Sequence, residues 1–439
     1  MQPERVAQAP HRQAPAGQER PKGEGLSPLQ PAAGQADLQQ LTTQLNSVPL
    51  LDPLLVRRAF EQQQQARNYY SVADVLDVDR YRIDGVDRAL VVAARELDQS
   101  GINDSGRNWT NLHTVYTHGD GLIAAYANQL AADDSTPVRD DIAWAEGIGA
   151  GETQLKQATG GYQSQIYFGE DSPDYSIVGK AKDSDPSVEL GLTDANTETE
   201  RLTTYQGLGG VPIGSTFRQL MYAIKFGDAN FLLSGRVNDN SQVLYDRDPE
   251  ERVRKVAPWL TLDSDAYPAV VDGRILWIID GYTTTDKYPG SEKESFATMT
   301  NDSRADNSGL QPPPTDEINY MRNAVKATVD AYDGTVTIYA WDESDPILQA
   351  WEKAFPNVVE PKASIPADLE PHLRYPSDLF KVQRYQLARY HVTDASDFYT
   401  DRNRWEVPLD PNDAGATERL QPPYRLFSQA TPGNGSEDT

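Results

Sequence analysis

The stretch from Val325 to Trp341 constrains the fold most. Val325, Ala327, Val329 and Ala331 alternate with polar residues, Asp333-Gly334 follows, and Val336, Ile338 and Ala340 resume the alternation. Two runs of period two joined by Asp-Gly predict a β-hairpin with a tight turn and one buried face. A lone hairpin is marginal in water, so this one implies further strands or a covering helix. Tyr81 to Asp84, with Gly85 following, reads as a shorter hairpin. Ala89 to Ala94 is an unbroken apolar run, as a strand covered on both faces would be. Gln165 to Phe168 and Tyr175 to Val178 alternate, and Arg274 to Ile279 reads as a buried strand ending in Asp280-Gly281.

Helices are punctuated as clearly. Asp52-Pro53, Asp248-Pro249 and Asp345-Pro346 each combine a side-chain cap with a proline whose φ is already helical. After the second, Glu250 and Glu251 fall where the helix dipole favours acids, and Val253, Val256, Ala257 and Leu260 form a stripe. After the third, Ile347, Leu348, Trp351 and Phe355 share a face. Two more helices are predicted, from Ser215 with the stripe Phe217, Leu220, Met221 and Ile224, and from Ser377. About 131–161, 180–204 and 286–316 lack periodicity and read as long surface loops. The expectation is an α+β fold of mainly antiparallel sheets with packed amphipathic helices, spanning residues 46–412. A lobe boundary is placed near 287–316. A disordered Gln/Pro/Ala-rich leader (1–45) and a polar tail (413–439) flank the domain.

Charge narrows the function. With 66 acidic against 40 basic residues the formal charge is -26, which repels phosphate backbones and excludes nucleic acid as a partner. The same charge argues against a broad face on anionic lipid. Its bland reading is solubility; its sharper one is carboxylates gathering Ca²⁺, a hard cation that takes oxygen ligands. The absence of cysteine removes disulfides, thiolate metal sites and thiol nucleophiles. No apolar run approaches a membrane span, and the N-terminus lacks the apolar core of a secretory signal.

Motifs for chemistry are sparse. His113 and His118 bracket Thr-Val-Tyr-Thr, with Asp120 beyond, but residues five apart on a strand face opposite sides. Gly147 to Gly151 resembles a nucleotide loop, yet it lacks a preceding strand and a Lys-Ser/Thr, so a flexible loop is the better reading. Gly207, Gly209 and Gly210 read as turn residues. Asp74, Asp77 and Asp79 cluster in sequence, as do Asp239, Asp246 and Asp248, and Asp280 and Asp286 flank Gly-Tyr-Thr-Thr-Thr. Paired carboxylates can hydrolyse glycosidic bonds, but only at a fixed spatial separation.

Several ordered strings together carry a resemblance. They are Arg107-Asn108-Trp109-Thr110-Asn111 running into Val115-Tyr116-Thr117-His118-Gly119, Tyr167-Phe168-Gly169-Glu170, Tyr245-Asp246-Arg247-Asp248-Pro249, Lys255-Val256-Ala257-Pro258-Trp259-Leu260, Asp280-Gly281-Tyr282-Thr283-Thr284 and His372-Leu373-Arg374-Tyr375-Pro376. The pattern, from about Leu50 to Asp410, resembles the large extracytoplasmic domain of uncharacterised protein family 0182, multi-pass membrane proteins of actinobacteria. The resemblance implies a place on the extracytoplasmic face of the cell membrane, with the membrane helices of a parent protein as partners. It implies no reaction. The leading expectation is a non-enzymatic domain that binds an envelope component or partner protein, with no cofactor. One alternative is a carboxylate-dependent envelope hydrolase with Asp280, Asp286 and His118 as candidate catalytic residues. Another is a Ca²⁺-stabilised structural module with Asp77, Asp79, Asp239 and Asp246 as candidate ligands.

Overall fold

The apolar run at Ala89 to Ala94 sits in the middle of a long strand, and both of its faces are covered. In a computed structural model of the chain, residues 51–425 are described apart from 74, 131–141, 150, 183, 193–200, 303–315, 411–419 and 424. The expected leader, most of the polar tail and Asp74 lie outside the described residues.

The first sheet holds β1 (Tyr70–Val72), β2 (Asp77–Ile83), β3 (Val86–Leu97), β4 (Leu122–Leu130) and β5 (Ile142–Glu146), in the order β1-β3-β4-β5 with β2 also on β3. Asp84 and Gly85 join β2 to β3 with φ of 52° and 75°, the two left-handed residues of a type I′ turn. A second, smaller sheet pairs β6 (Tyr175–Val178) and β7 (Val211–Pro212) with β8 (Gln242–Tyr245). The third contains β9 (Thr261–Leu262), β10 (Tyr267–Val271), β11 (Arg274–Thr285), β12 (Tyr320–Asp330), β13 (Val336–Ala340) and β14 (Val359–Glu360). Its pairings are antiparallel except β13 with β14.

The main core lies between the first and third sheets. Leu90, Val92, Ala94 and Leu122 meet Val270, Trp277, Ile279, Ala327 and Val329 there, and the Tyr81 hydroxyl oxygen accepts from the Val270 N–H at 2.9 Å. The other face of β3, through Val91 and Ala93, packs on Phe60 of helix α1 (Pro53–Gln64). The outer face of the third sheet packs on Ile365, Leu369 and Leu373. Two-sided cover explains why these strands read as near-continuous apolar runs.

The predicted hairpin forms, with Val329 opposite Val336, but its turn is wider than expected. Asp333 and Gly334 sit in a five-residue loop, 331–335, closed by a Gly334 N–H to Asp330 carbonyl bond of 2.7 Å. Asp330 Oδ1 accepts from Tyr332 and Asp333 N–H, both at 2.8 Å, and Arg274 holds Asp330 and Asp333 at 2.8 and 2.6 Å. Carboxylates, not a two-residue turn, set this loop. The stretch expected to divide two lobes leaves β11 at Thr285 and returns at Tyr320, its register partner, so it is an excursion from one sheet. The aperiodic stretches also hold short elements, among them Gln154–Ala158, Phe296–Thr300 and the paired strands Glu189–Gly191 and Arg201–Thr203.

Five of the helices fall where the sequence places them. After α1 come α2 (Thr216–Phe226), α3 (Asn230–Leu233), α4 (Pro249–Val256), α5 (Pro346–Ala354) and α6 (Ser377–Tyr390), of which α3 was not foreseen. Asp345 caps α5 by accepting from Ile347 and Leu348 N–H at 3.2 and 3.3 Å, and also accepts from the Thr283 and Tyr320 hydroxyls. It is fully buried. Asp345→Ala removes a cap and strands two hydroxyls, so it should cost about 2 kcal/mol or more, measured as a lower urea midpoint at unchanged slope.

Candidate functional site

The residues nominated for catalysis do not meet. Asp280 is buried on β11 directly opposite Lys326 of β12, with which it forms an ion pair. Asn323 Nδ2 donates to the same carboxylate at 2.9 Å. Burial pushes the Asp280 carboxyl up while Lys326 pulls it down. Asp286 lies beyond the end of β11, where hydrogen bonds from Lys287 and Lys293, at 2.7 and 3.1 Å, pull its carboxyl down to about 2. His118 is buried elsewhere, its ring nitrogens on the Gly119 carbonyl (2.8 Å) and the Thr203 hydroxyl (3.0 Å). None of the three shares a hydrogen-bond partner with another.

The nominated metal ligands are likewise engaged. Asp77 pairs with Arg374, Asp79 with His372 Nδ1 at 2.8 Å, and Asp246 with Lys255 at 2.6 Å, while Asp239 is an exposed turn residue. Among the described residues, no group of three or more His, Asp or Glu side chains could hold a metal ion. His113 is not on a strand: it lies in a π-helical turn, Asn111–Val115, and stacks on Tyr175 at 4.1 Å. The Gly147–Gly149 turn wraps around two polar side chains, the buried Gln64 accepting from Ile148 N–H at 2.8 Å and the half-buried Glu152 from Gly149 N–H at 2.8 Å.

What sequence reasoning missed is a buried polar seam behind the third sheet. Lys326 donates to the Arg374 carbonyl at 2.7 Å. Asp263 accepts from the N–H of Asp378 at 2.8 Å and from the Tyr282 hydroxyl, serving as a cap for α6 from another element. Lys381 of α6 joins Asp378 and Asp302 at 3.1 and 2.9 Å. These groups are largely buried and paired with one another, so they pin α6 and the preceding segment to the sheet.

The accessible feature lies elsewhere, on α2 and α3. Ser215 starts α2 by accepting from Arg218 N–H, and Gly227, at a φ of 65°, ends it and turns the chain so that α3 packs alongside. Tyr222, Ala223 and Phe226 face inward onto Tyr175, Ile177 and Val243, and Phe231 of α3 is buried among them. The opposite side of α2 carries Phe217, Leu220, Met221 and Ile224, spaced i, i+3, i+4, i+7. This is the stripe by which the sequence predicts the helix, and it faces water, with Phe217 70% and Ile224 68% exposed. Leu233 of α3 is 78% exposed. Covering one such side chain is worth about 1.5–3 kcal/mol, which makes this bare apolar row the candidate interaction surface.

A family model described as an uncharacterised protein family (UPF0182) matches residues 26–438. The chain belongs to that family. Among UPF0182 relatives, a protein of Nocardioides sp. is 62% identical over 92% of this chain. UPF0182 proteins of Frankia alni and Clavibacter michiganensis are each 47% identical, over 90% and 87% of it. The chain spans only about two fifths of their length, at 40%, 38% and 38%. No solved structure matches. Among the described residues of this UPF0182 chain, no helix is long and apolar enough to cross a membrane.

Proposed function

We propose that this chain is the extracytoplasmic domain of a membrane-tethered UPF0182 protein, and that it works by binding an envelope component or partner rather than by catalysis. The observation that carries the reading is the bare apolar side of α2, continued by Leu232 and Leu233 of α3. Two apolar sides on one helix are needed only when both are covered. The body covers one, and an envelope partner covers the other. The carboxylates that a hydrolase would use are spent on structure: Asp280 neutralises Lys326, and Asp286 is held by two surface lysines.

Both halves of the reading are testable in cells producing the whole protein. This chain has no cysteine, so Tyr399→Cys, at a position 89% exposed, adds a thiol to this domain, and the protein without the substitution is the labelling control. A membrane-impermeant maleimide should label it in intact cells; labelling only after permeabilisation would place the domain in the cytoplasm and end the proposal. A photo-crosslinker at position 217 should form an adduct with an envelope component that the same group at position 399 does not form. Equal adducts from both positions, or none from 217, would remove the binding claim.

A further inference from the structure

We propose that α2 and α3 form an interfacial anchor that seats on a lipid surface bearing anionic headgroups. This rests on the binding reading above and names the partner of that same surface. Three observations choose lipid over a protein groove.

The first is the chemistry of the row. Phe217, Leu220, Met221, Ile224 and Leu233 are all hydrocarbon or thioether. Anchors of protein interfaces are enriched in Trp, Tyr and Arg at the centre, which this row lacks. Phenyl and aliphatic groups are the side chains that enter the acyl boundary of a bilayer. At eleven residues α2 is about 16 Å long, too short to span a bilayer and suited to lying in its surface plane.

Charge is the second. The helix carries Arg218 and Lys225 and no acid, and Arg236 follows α3. None of the three is ion-paired with a described residue: Arg218 donates to the Pro212 carbonyl at 3.0 Å, and Lys225 lies 4.0 Å from the Tyr245 ring centre. Among described residues these cations are therefore available to headgroups. The nearest acid in sequence, Asp228, is turned to internal work, accepting from the Tyr175 hydroxyl at 2.7 Å and from Asn230 N–H at 2.8 Å.

Third, the net charge of -26 does not forbid the contact. Exposed charges are screened beyond about 8 Å at physiological salt, so a surface touching α2 responds to the cations beside it more than to distant carboxylates. The general repulsion from anionic lipid has a local exception here. It also favours one orientation of the domain, with Arg218, Lys225 and Arg236 toward the headgroups.

The test is flotation of the purified full chain with vesicles of phosphatidylcholine alone and of phosphatidylcholine mixed with phosphatidylglycerol. The chain should float with the mixed vesicles and less with the neutral ones. Phe217→Ser with Ile224→Ser should weaken that binding more than about tenfold. Arg218→Gln with Lys225→Gln should weaken binding to the anionic vesicles by about tenfold or more and leave the neutral ones nearly unaffected. Both variants alter exposed side chains, so an unchanged thermal midpoint confirms that they fold. A wild-type chain that floats with neither vesicle overturns the lipid inference, as does binding indifferent to Phe217 and Ile224. The wider binding reading has its own failure, the absence of a specific adduct from position 217. A protein adduct there without flotation would keep the binding function and reject lipid as the partner.

Discussion

Replacing Lys326 by methionine should cost about 3–5 kcal/mol of folding free energy, seen as a lower urea midpoint with the slope preserved. The side chain is 1% exposed and its partner Asp280 is 3% exposed. Methionine keeps the volume but removes the charge, so among the described residues the Asp280 carboxylate is left in the interior with Asn323 as its remaining side-chain donor. The Arg374 carbonyl loses its donor as well. Taking two charges out of water is expensive, and what makes the pair tolerable is that each neutralises the other. Removing both should therefore be cheaper than removing one. Lys326→Met combined with Asp280→Asn is expected to be more stable than Lys326→Met alone, a coupling that a double-mutant cycle measures directly. A single-variant loss under about 1 kcal/mol would mean that water reaches Asp280 and that the seam behind the sheet is not sealed.

That seam marks the limit of what the sequence discloses. Local chemistry is legible: the Asp-Pro helix starts at Asp248 and Asp345 are real caps, both accepting from first-turn amides, and Asp84-Gly85 forms its tight turn. The α+β class follows from these signals, and the antiparallel pairing follows from the hairpins. Lys326, by contrast, alternates with valine and alanine and so reads as the solvent face of a strand. It is buried because the segment around Leu369 to Arg374, more than forty residues later in the chain, lies over it. No periodicity within β12 encodes that cover. Asp333-Gly334 misled in a related way, since the width of the loop is fixed by Arg274, a residue of the neighbouring strand.

Helix α2 shows the opposite case. Its spacing correctly gives an apolar stripe through Phe217, Leu220, Met221 and Ile224, but a second apolar side runs through Tyr222, Ala223 and Phe226. Periodicity says that a stripe exists; which stripe the body covers is decided by Tyr175, Phe231 and Val243. The surface that carries the proposed function is therefore visible in the sequence as residues, but its exposure is not.

Acidification from about pH 8 to about pH 5 should stabilise this acidic protein, by an amount on the order of 3 kcal/mol. Burial pushes the carboxyl of Asp263 up to about 8, reinforced by Asp378, Asp265 and Asp280 against the hydrogen bond from Tyr282. Burial likewise raises Glu96 to about 8 beside Asp171, and Asp77 to about 6 although Arg374 opposes it. In the unfolded chain these groups titrate near pH 4. Between that pH and their folded values the native state keeps protons that the unfolded state has released. Stability from each is complete below about pH 4 and is lost as pH rises through about 6 for Asp77 and about 8 for Asp263 and Glu96. His113 works against the trend, because burial lowers its pKa and protonation of the unfolded chain costs stability as pH falls through about 6.5. One imidazole against these three carboxyls, joined by Glu250, which burial pushes up to about 7, leaves the sign unchanged. Asp286, Asp228 and Asp342 are held below the ordinary carboxylate range, so they titrate under this window. Urea titrations across the range should show the midpoint falling as pH increases, and Asp263→Asn, which cannot ionise, should flatten that fall. A midpoint that is level or rises toward pH 8 would mean that the buried carboxyls ionise freely in the folded protein, and that the seam pinning α6 to the sheet is open to water.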